Sequence, residues 1–538
     1  MGHFAVRKEI HSELRRLLPA RLPEFLAKQR WFGGKARQLA SVEIADVVPM
    51  PRGGLEALLL VVAVHYVDGG KENYALPVLC GEQTSPPLSD ESTLLTIGND
   101  ETRGAASLTN GAQNPAFLAL LLETIERELV FRGEKGELRG FRGKEFSQLY
   151  TSPPASGATP RLLRGEQSNT SIIYDERLIL KLFRRMEEGI NPELEIGAFL
   201  TERANFPQVP QLAGYLEYRN EHGAAVTQGI LQAFVPNQGD AWRHVVKSVA
   251  AFYDLIAGHQ AQSRLASSVV EAKSKAEIPE FARATLEPDL AATALLGKRT
   301  AELHQALASE TNDVAFVPEP FTMEFQRHVL ESLLKLTNVT FKLLQEKRSQ
   351  LPAELRAKAE EIAGRGKEID QLFTAILGTP IHAARTRIHG DYHLGQVLYN
   401  GSDFVFIDFE GEPARPLSER RIKRSPLQDV AGMMRSFHYA AFAPLLGALT
   451  QQPVSPDELK QLMPWADAWD TWFTNRFLAA YFQTSGNAAC LPASREETDK
   501  LLKLHLLEKA IYELGYELNN RPNWVGIPLE GIARVLDD

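Results

Sequence analysis

The run Ile388-His389-Gly390-Asp391-Tyr392-His393-Leu394-Gly395-Gln396-Val397-Leu398 and the apolar stretch Asp403-Phe404-Val405-Phe406-Ile407-Asp408-Phe409-Glu410 behind it constrain this chain most. One carboxylate stands in a tight polar loop, a side-chain amide follows five residues later, and a second carboxylate ends the next apolar run. A short hairpin sets the loop end beside the end of the following strand. The fold therefore has to present Asp391, Gln396 and Asp408 together.

That set suits phosphoryl transfer. Moving a phosphoryl group from ATP to a hydroxyl needs one carboxylate to orient and deprotonate the acceptor, and oxygen ligands to hold Mg2+ on the nucleotide phosphates. Asp391 fits the first task, and Gln396 and Asp408 fit the second. The pattern resembles the His-x-Asp loop, downstream amide and Asp-Phe-x of protein kinases, and more closely that of the aminoglycoside phosphotransferase-like small-molecule kinases. Gln396 stands where that superfamily usually has Asn, and its carbonyl remains a ligand on a stem one methylene longer. Glu410 replaces the Gly of Asp-Phe-Gly, which argues against a flexible activation switch. His389 reads as a residue that positions the loop, and Asp429 as an acceptor at a helix start that ties the loop down.

A net charge of -9 disfavours nucleic acid as a partner. The two cysteines, Cys80 and Cys490, exclude a disulfide framework or a cysteine-rich metal site. Residues 1–19 alternate charge and apolar side chains without the apolar core of a signal peptide, and the longest apolar run, 55–64, is too short to span a bilayer. The expectation is a cytoplasmic protein with no membrane segment.

Along the chain, residues 8–29 carry helical spacing interrupted near Pro19 and Pro23, so two short helices are expected. Arg30-Trp31-Phe32-Gly33-Gly34-Lys35 reads as an aromatic anchor closing a small core. Strands at 42–48, 55–67 and 72–79 and a helix at 115–128 complete an amino-terminal module over 1–150. The Pro-, Ser- and Thr-rich 151–160 is the clearest linker.

Beyond it, 161–163, 171–174 and 178–183 read as strands. The turn Gly165-Glu166-Gln167-Ser168-Asn169-Thr170-Ser171 offers Ser168, Asn169, Thr170 and Ser171 as a phosphate clamp. Lys181 lies in the apolar strand Ile179-Leu180-Lys181-Leu182-Phe183, which has little reason to carry an ammonium group inward. The helix opened by Asn191-Pro192 supplies its partner, Glu195 by preference or Glu193. The strand 227–235 ends at Pro236-Asn237-Gln238-Gly239-Asp240, a hinge, and by resemblance backbone groups of Gln232, Phe234 and Val235 hold the adenine. From 241 on, helical spacing recurs at 242–256, 290–308, 324–347 and 354–377.

The stretch from Asp408 to Phe437 goes beyond the general kinase pattern. With Arg30 to Lys35, Gly165 to Tyr174 and Glu508 to Trp524, it resembles the bacterial maltokinase family across nearly the whole chain, most weakly over 84–150. The resemblance implies a mixed α/β (α+β) chain with a bilobal protein-kinase-like fold: a cap (1–150), a small β-rich lobe (161–238) and a large helical lobe (239–538). It also implies ATP and Mg2+ as cofactors, maltose phosphorylated at its anomeric hydroxyl, and trehalose synthase as a candidate partner. Glu410, Arg415, Tyr512, Glu513, Tyr516, Glu517 and Arg521 are the expected sugar contacts, with Tyr512 and Tyr516 four apart on one helix face and Glu513 and Glu517 one step round. Two alternatives stand beside this reading: a kinase for glucosamine or another amino sugar, and a non-catalytic nucleotide-binding subunit of a trehalose synthase. The intact Lys181, Asp391, Gln396 and Asp408 set counts against the latter.

Overall fold

The computed structural model describes residues 2–82, 93–97, 106–150, 160–163, 169–258, 277–310, 312–413, 415–449 and 452–537. The chain divides into two compact units, Met1–Arg203 with Pro210–Pro236, and Ala204–Val209 with Asn237–Asp538. The second crossing, after Pro236, falls in the segment expected to be the hinge.

In the first unit, helix α1 (Gly2–Lys28) runs unbroken through Pro19 and Pro23. Two helices were expected there, and tertiary burial overrides the break. Leu14, Leu18, Leu22 and Leu26, four residues apart, are all fully buried. Burial of each leucine contributes about 1.5–3 kcal/mol, enough together to offset interior prolines at about 3 kcal/mol each.

The leucines pack on an antiparallel sheet of β1 (Leu39–Pro49), β2 (Ala57–Tyr66), β3 (Lys71–Glu82), β4 (Thr93–Ile97) and β5 (Ala106–Asn110), in the order β1-β2-β3-β5-β4. Strand β2 is a continuous apolar run because both its faces are covered. Leu58, Leu60, Val62 and Val64 join the core under α1, and Leu59 and Val61 join the core under helix α2 (Pro115–Glu126).

The second sheet contains β6 (Val130–Arg132), β7 (Glu137–Arg142), β8 (Arg161–Leu162), β9 (Asn169–Tyr174) and β10 (Leu178–Phe183). After β11 (Arg185–Met186) it is completed by β12 (Leu212–Arg219) and β13 (Ala225–Ala233), in the order β6-β7-β12-β13-β10-β9-β8. Strand β11 leaves this sheet and pairs with β3 of the first. Leu59 and Val61 share one core cluster with Leu180, Leu182 and Leu231. The expected cap and small lobe thus form one compact unit, since β6 and β7, upstream of 150, belong to the sheet that carries Lys181. The expected linker lies, apart from Pro160, outside the described residues.

The second unit is mainly helical, with α4 (Ala241–Gly258), α5 (Glu280–Leu307), α6 (Met323–Lys347), α7 (Ala353–Gly364), α8 (Gly366–Leu377), α9 (Leu427–Phe442), α10 (Pro456–Ser485), α11 (Arg495–Asn520) and α12 (Gly526–Asp537). The helix expected over 354–377 is two helices, parted at Arg365 between Gly364 and Gly366, where glycine weakens helix continuation. Two short ladders remain: β14 (Glu319–Pro320) with β15 (Ala384–Arg385), and β16 (Val397–Tyr399) with β17 (Phe404–Phe406). Among the described residues, no helix is long and apolar enough to cross a membrane.

Candidate active site

In the first unit, β9, β10 and β13 place Lys181 opposite Ser171 on one side and Ile230 on the other. Its Nζ donates to Glu193 Oε2 at 2.8 Å, and the two side chains are 14% and 3% exposed. Glu193 opens helix α3 (Pro192–Glu202), which is capped by the Asn191 side chain accepting from the Glu193 N–H. The preference for Glu195 is therefore corrected to Glu193. At about 100° per residue, Glu193 shares a face with the buried Ile196, Gly197 and Leu200, and Glu195 is turned some 200° away.

Of the expected phosphate clamp, Ser168 lies outside the described residues. Asn169, Thr170 and Ser171 are the first residues of β9 rather than turn residues. Ser171 is buried, and the Thr170 hydroxyl accepts from Arg184 Nε at 2.9 Å. At the expected adenine contacts, the Phe234 N–H is committed to the Arg177 carbonyl and the Ala233 N–H to that of Gln211. Gln232 stands opposite Ile179 in the ladder. Phe234 thus has no N–H to offer a base.

In the second unit, the catalytic-loop candidate is held from behind by Asp429. This buried carboxylate in the first turn of α9 accepts from the His389 N–H at 2.7 Å and the Gly390 N–H at 3.0 Å, and lies 3.2 Å from His304 Nε2. Burial pushes the Asp429 carboxyl up, but the His304 hydrogen bond, the His304 and His389 charges and the Gly390 N–H together hold it below the ordinary carboxylate range. His389 Nε2 is 2.9 Å from the Ile407 carbonyl, and its ring packs on Phe409 and Tyr392. Both residues position the loop.

The β16–β17 hairpin brings the two candidate metal ligands together. Gln396 Nε2 donates to Asp408 Oδ2 at 2.9 Å, and the Ile407 N–H donates to the Gln396 carbonyl at 3.1 Å. Asp408 has φ +68, a left-handed conformation that costs a non-glycine residue about 1–3 kcal/mol and clusters at functional positions. With its amide nitrogen turned to Asp408, Gln396 keeps its oxygen for other partners. The pair offers hard oxygen donors that suit Mg2+.

Asp391 is half-buried and meets a residue the sequence reading did not single out. Lys509 Nζ, on α11, lies 3.4 Å from Asp391 Oδ1. Burial on its own would lower the Lys509 pKa, but the Asp391, Glu412 and Glu513 carboxylates raise it, so the ammonium is kept charged. Lys509 and Gly390 belong to the wall of a cavity of about 400 Å3, together with Glu412, Arg415, Gln428, His505, Glu508 and Tyr512.

Most charges in the wall are paired. Arg415 Nε donates to Glu412 at 2.7 Å and lies 3.6 Å from Glu508, which also meets His505 Nδ1 at 2.9 Å. Burial raises the Glu508 pKa, but the His505 bond and the nearby Arg415 and Arg424 hold it down at about 2. Tyr512 bonds to Glu412. Gln428 Oε1 and His505 Nε2 are buried and have no hydrogen-bond partner among the described residues.

The expected sugar platform on α11 splits by helix face. His505, Glu508, Lys509 and Tyr512 are spaced three to four apart and form the cavity side. Glu513 is turned toward α9 and pairs with Arg435 at 2.7 Å. Glu517 is buried, accepts both Arg521 Nε at 2.9 Å and Arg521 Nη2 at 2.5 Å, and is 3.2 Å from the Tyr439 hydroxyl. Arg521 also lies over the Trp524 ring. Tyr516, a turn beyond Tyr512, is 49% exposed and outside the cavity wall. Glu513, Glu517 and Arg521 are thus structural pairs. Arg415 and Tyr512 remain in the wall, and Glu410 sits beside Arg420, whose Nη1 donates to its carbonyl.

Residues 159–462, more than half of the chain, match the phosphotransferase enzyme family, and the chain belongs to that family. Ahead of that region, residues 25–111 match the maltokinase N-terminal cap domain. The chain is similar to glucosamine kinases of Streptacidiphilus jiangxiensis (25% identity; 74% of this chain, 79% of the relative) and Mycolicibacterium smegmatis (23%; 72% and 82%). Among solved structures it resembles a glucosamine kinase in complex with glucosamine, ADP and inorganic phosphate, with a TM-score of 0.57 at 19% identity over 95% of this chain and 98% of that one. A second crystal form of glucosamine kinase gives a TM-score of 0.58 at 19% identity, over 96% and 99%. The fold is that of a kinase with an amino-terminal cap.

Proposed function

We propose that this phosphotransferase moves the γ-phosphoryl group of ATP to a hydroxyl of a small sugar, with maltose as the acceptor and maltose 1-phosphate as the product. One observation carries the sugar reading: the wall of the 400 Å3 cavity beside Asp391 includes Gln428 and His505, whose buried Oε1 and Nε2 have no hydrogen-bond partner among the described residues. Unsatisfied buried polar atoms are costly, and neutral hydroxyls satisfy them. Asp391 takes the acceptor proton, and Lys509, 3.4 Å away, holds that carboxylate fixed in direction. Lys181, oriented by Glu193, neutralises nucleotide phosphate charge. Gln396 and Asp408 would hold Mg2+, which when bound offsets phosphate charge.

The cavity's charge pattern supports a neutral acceptor. Glu412 and Glu508 each have a basic partner, and the cation nearest Asp391 is Lys509, which repels an ammonium group. The cap match points the same way. A second reading, glucosamine as acceptor, is favoured by the names of the curated relatives and by Glu419, an exposed carboxylate in the wall. ADP release measured with maltose, glucose, glucosamine and N-acetylglucosamine separates them. Maltose should give a kcat/KM at least tenfold above glucosamine, and the reverse order would overturn the assignment. Turnover with none of the panel would overturn the sugar reading itself.

A further inference from the structure

The first unit contains a second charged cavity. It measures about 660 Å3 and has Arg184 in its wall, with Arg21, Lys28 and Arg30 from the end of α1 and the turn that follows. Arg184 sits between β10 and β11, is 2% exposed, and has no carboxylate partner among the described residues. Its Nε donates to Thr170 Oγ1 at 2.9 Å and its Nη1 reaches the Ala75 carbonyl at 3.4 Å. The guanidinium also lies 5.3 Å from the centroid of the Trp31 ring. Burial lowers its pKa to about 10, which leaves it cationic at neutral pH.

A buried guanidinium is normally matched by an anion, because removing a charge from water without a counter-charge costs several kcal/mol. Here, among the described residues, neutral oxygens and an indole face surround it. The rest of the wall adds positive charge. Arg21 and Arg30 are exposed at the rim, and the one wall carboxylate, Glu24, is bound to Lys28 at 2.7 Å. Asn110, Gln113 and Gln29 contribute amides. The planar fork of an arginine at the floor with further cations at the mouth matches a phosphate group, which accepts several charge-assisted hydrogen bonds at once.

We propose that this cavity binds a phosphate-bearing small molecule, with the phosphate on Arg184 and Arg30 and any sugar body against Trp31. Its wall shares no residue with the Lys181–Glu193 pair or with the cavity beside Asp391. Thr170 connects it to the start of β9, where Asn169, Thr170 and Ser171 were expected to clamp the nucleotide phosphates.

The test is calorimetric titration of the full chain, kept in saturating MgADP so that nucleotide-site binding is masked, with inorganic phosphate and with glucose 1-phosphate. Wild type should bind one equivalent. Arg30→Glu should weaken binding tenfold or more without changing kcat or KM for ATP measured in phosphate-free buffer. Arg184→Met should abolish binding, and if that variant does not fold, Arg30→Glu decides alone. Glucose 1-phosphate binding tighter than inorganic phosphate, with the gain lost in Trp31→Ala, assigns a phosphorylated sugar. Equal affinities assign free phosphate. No binding by wild type, or an Arg30→Glu affinity within twofold of wild type, would overturn the site.

Discussion

Replacing Glu193 by Gln tests the proposed nucleotide role of Lys181 most directly. Glu193 is 3% exposed at its side chain and lies 2.8 Å from Lys181 Nζ, so the substitution keeps shape and one acceptor but removes the counter-charge. Loss of a hydrogen bond to a charged group costs about 1.5–3 kcal/mol, and removing one partner of a buried pair outright costs about 3–5 kcal/mol. Gln belongs at the lower end and Ala at the upper. If Lys181 needs this partner to meet the phosphates, kcat/KM for ATP should fall about 10- to 150-fold in Glu193→Gln. Glu195→Ala, half-buried on the opposite face of α3, should stay within about threefold of wild type. The assay is ADP release at varied ATP with saturating acceptor, with urea melts on the same samples to separate lost catalysis from lost folding. The reasoning fails if Glu195→Ala carries the loss, or if Glu193→Gln changes the melt and leaves kcat/KM for ATP untouched.

Four further outcomes are expected. Asp391→Asn should leave MgATP affinity by calorimetry near wild type while kcat falls by orders of magnitude, and retention of more than about a tenth of turnover would remove Asp391 from the base role. Tyr512→Ala should raise KM for the sugar and leave KM for ATP alone. Glu517→Ala, by contrast, should lower the melting temperature with both KM values unchanged, because its carboxylate bonds Arg521 and Tyr439 within the fold. Glu508→Gln should cost on the order of 3 kcal/mol at pH 7. The sign follows from the depressed native pKa of about 2: the carboxylate's contribution is fully present above the unfolded value near 4.5 and is lost as pH falls through about 2. Wild-type stability should therefore fall with acid across that window more steeply than the variant's, and parallel curves would show that Glu508 is not held ionised by its neighbours.

The candidate catalytic loop's geometry was legible because it is local. Asp391, Gln396 and Asp408 lie within eighteen residues joined by one hairpin, so spacing alone places Gln396 beside Asp408. Glu193 was legible in principle as well. Ile196 and Leu200 mark the buried face of α3, and counting back three and seven residues selects 193, not 195. The helical break at Pro19 and Pro23 misled because propensity was weighed without the leucine row whose burial outweighs it.

The proposed acceptor cavity is a different case. Its wall gathers Gly390, Glu412, Gln428 and one face of α11 across more than a hundred residues, and no local period joins them. Tyr, Glu, Lys and Arg on α11 look alike in sequence whether they face a ligand or a neighbouring helix. What separates Tyr512 from Glu513 and Glu517 is which of them finds a partner inside the fold. Arg435 answers Glu513, and Arg521 answers Glu517. Gln428 and His505 are left with atoms that nothing in the described chain satisfies. The proposed substrate site is marked by its unmet hydrogen bonds, and these exist only once helices α9 and α11 and the loop before α9 have packed together. The same criterion isolates Arg184, which is buried like a core residue but has no counter-charge among the described residues, where Arg435 and Arg415 each have one.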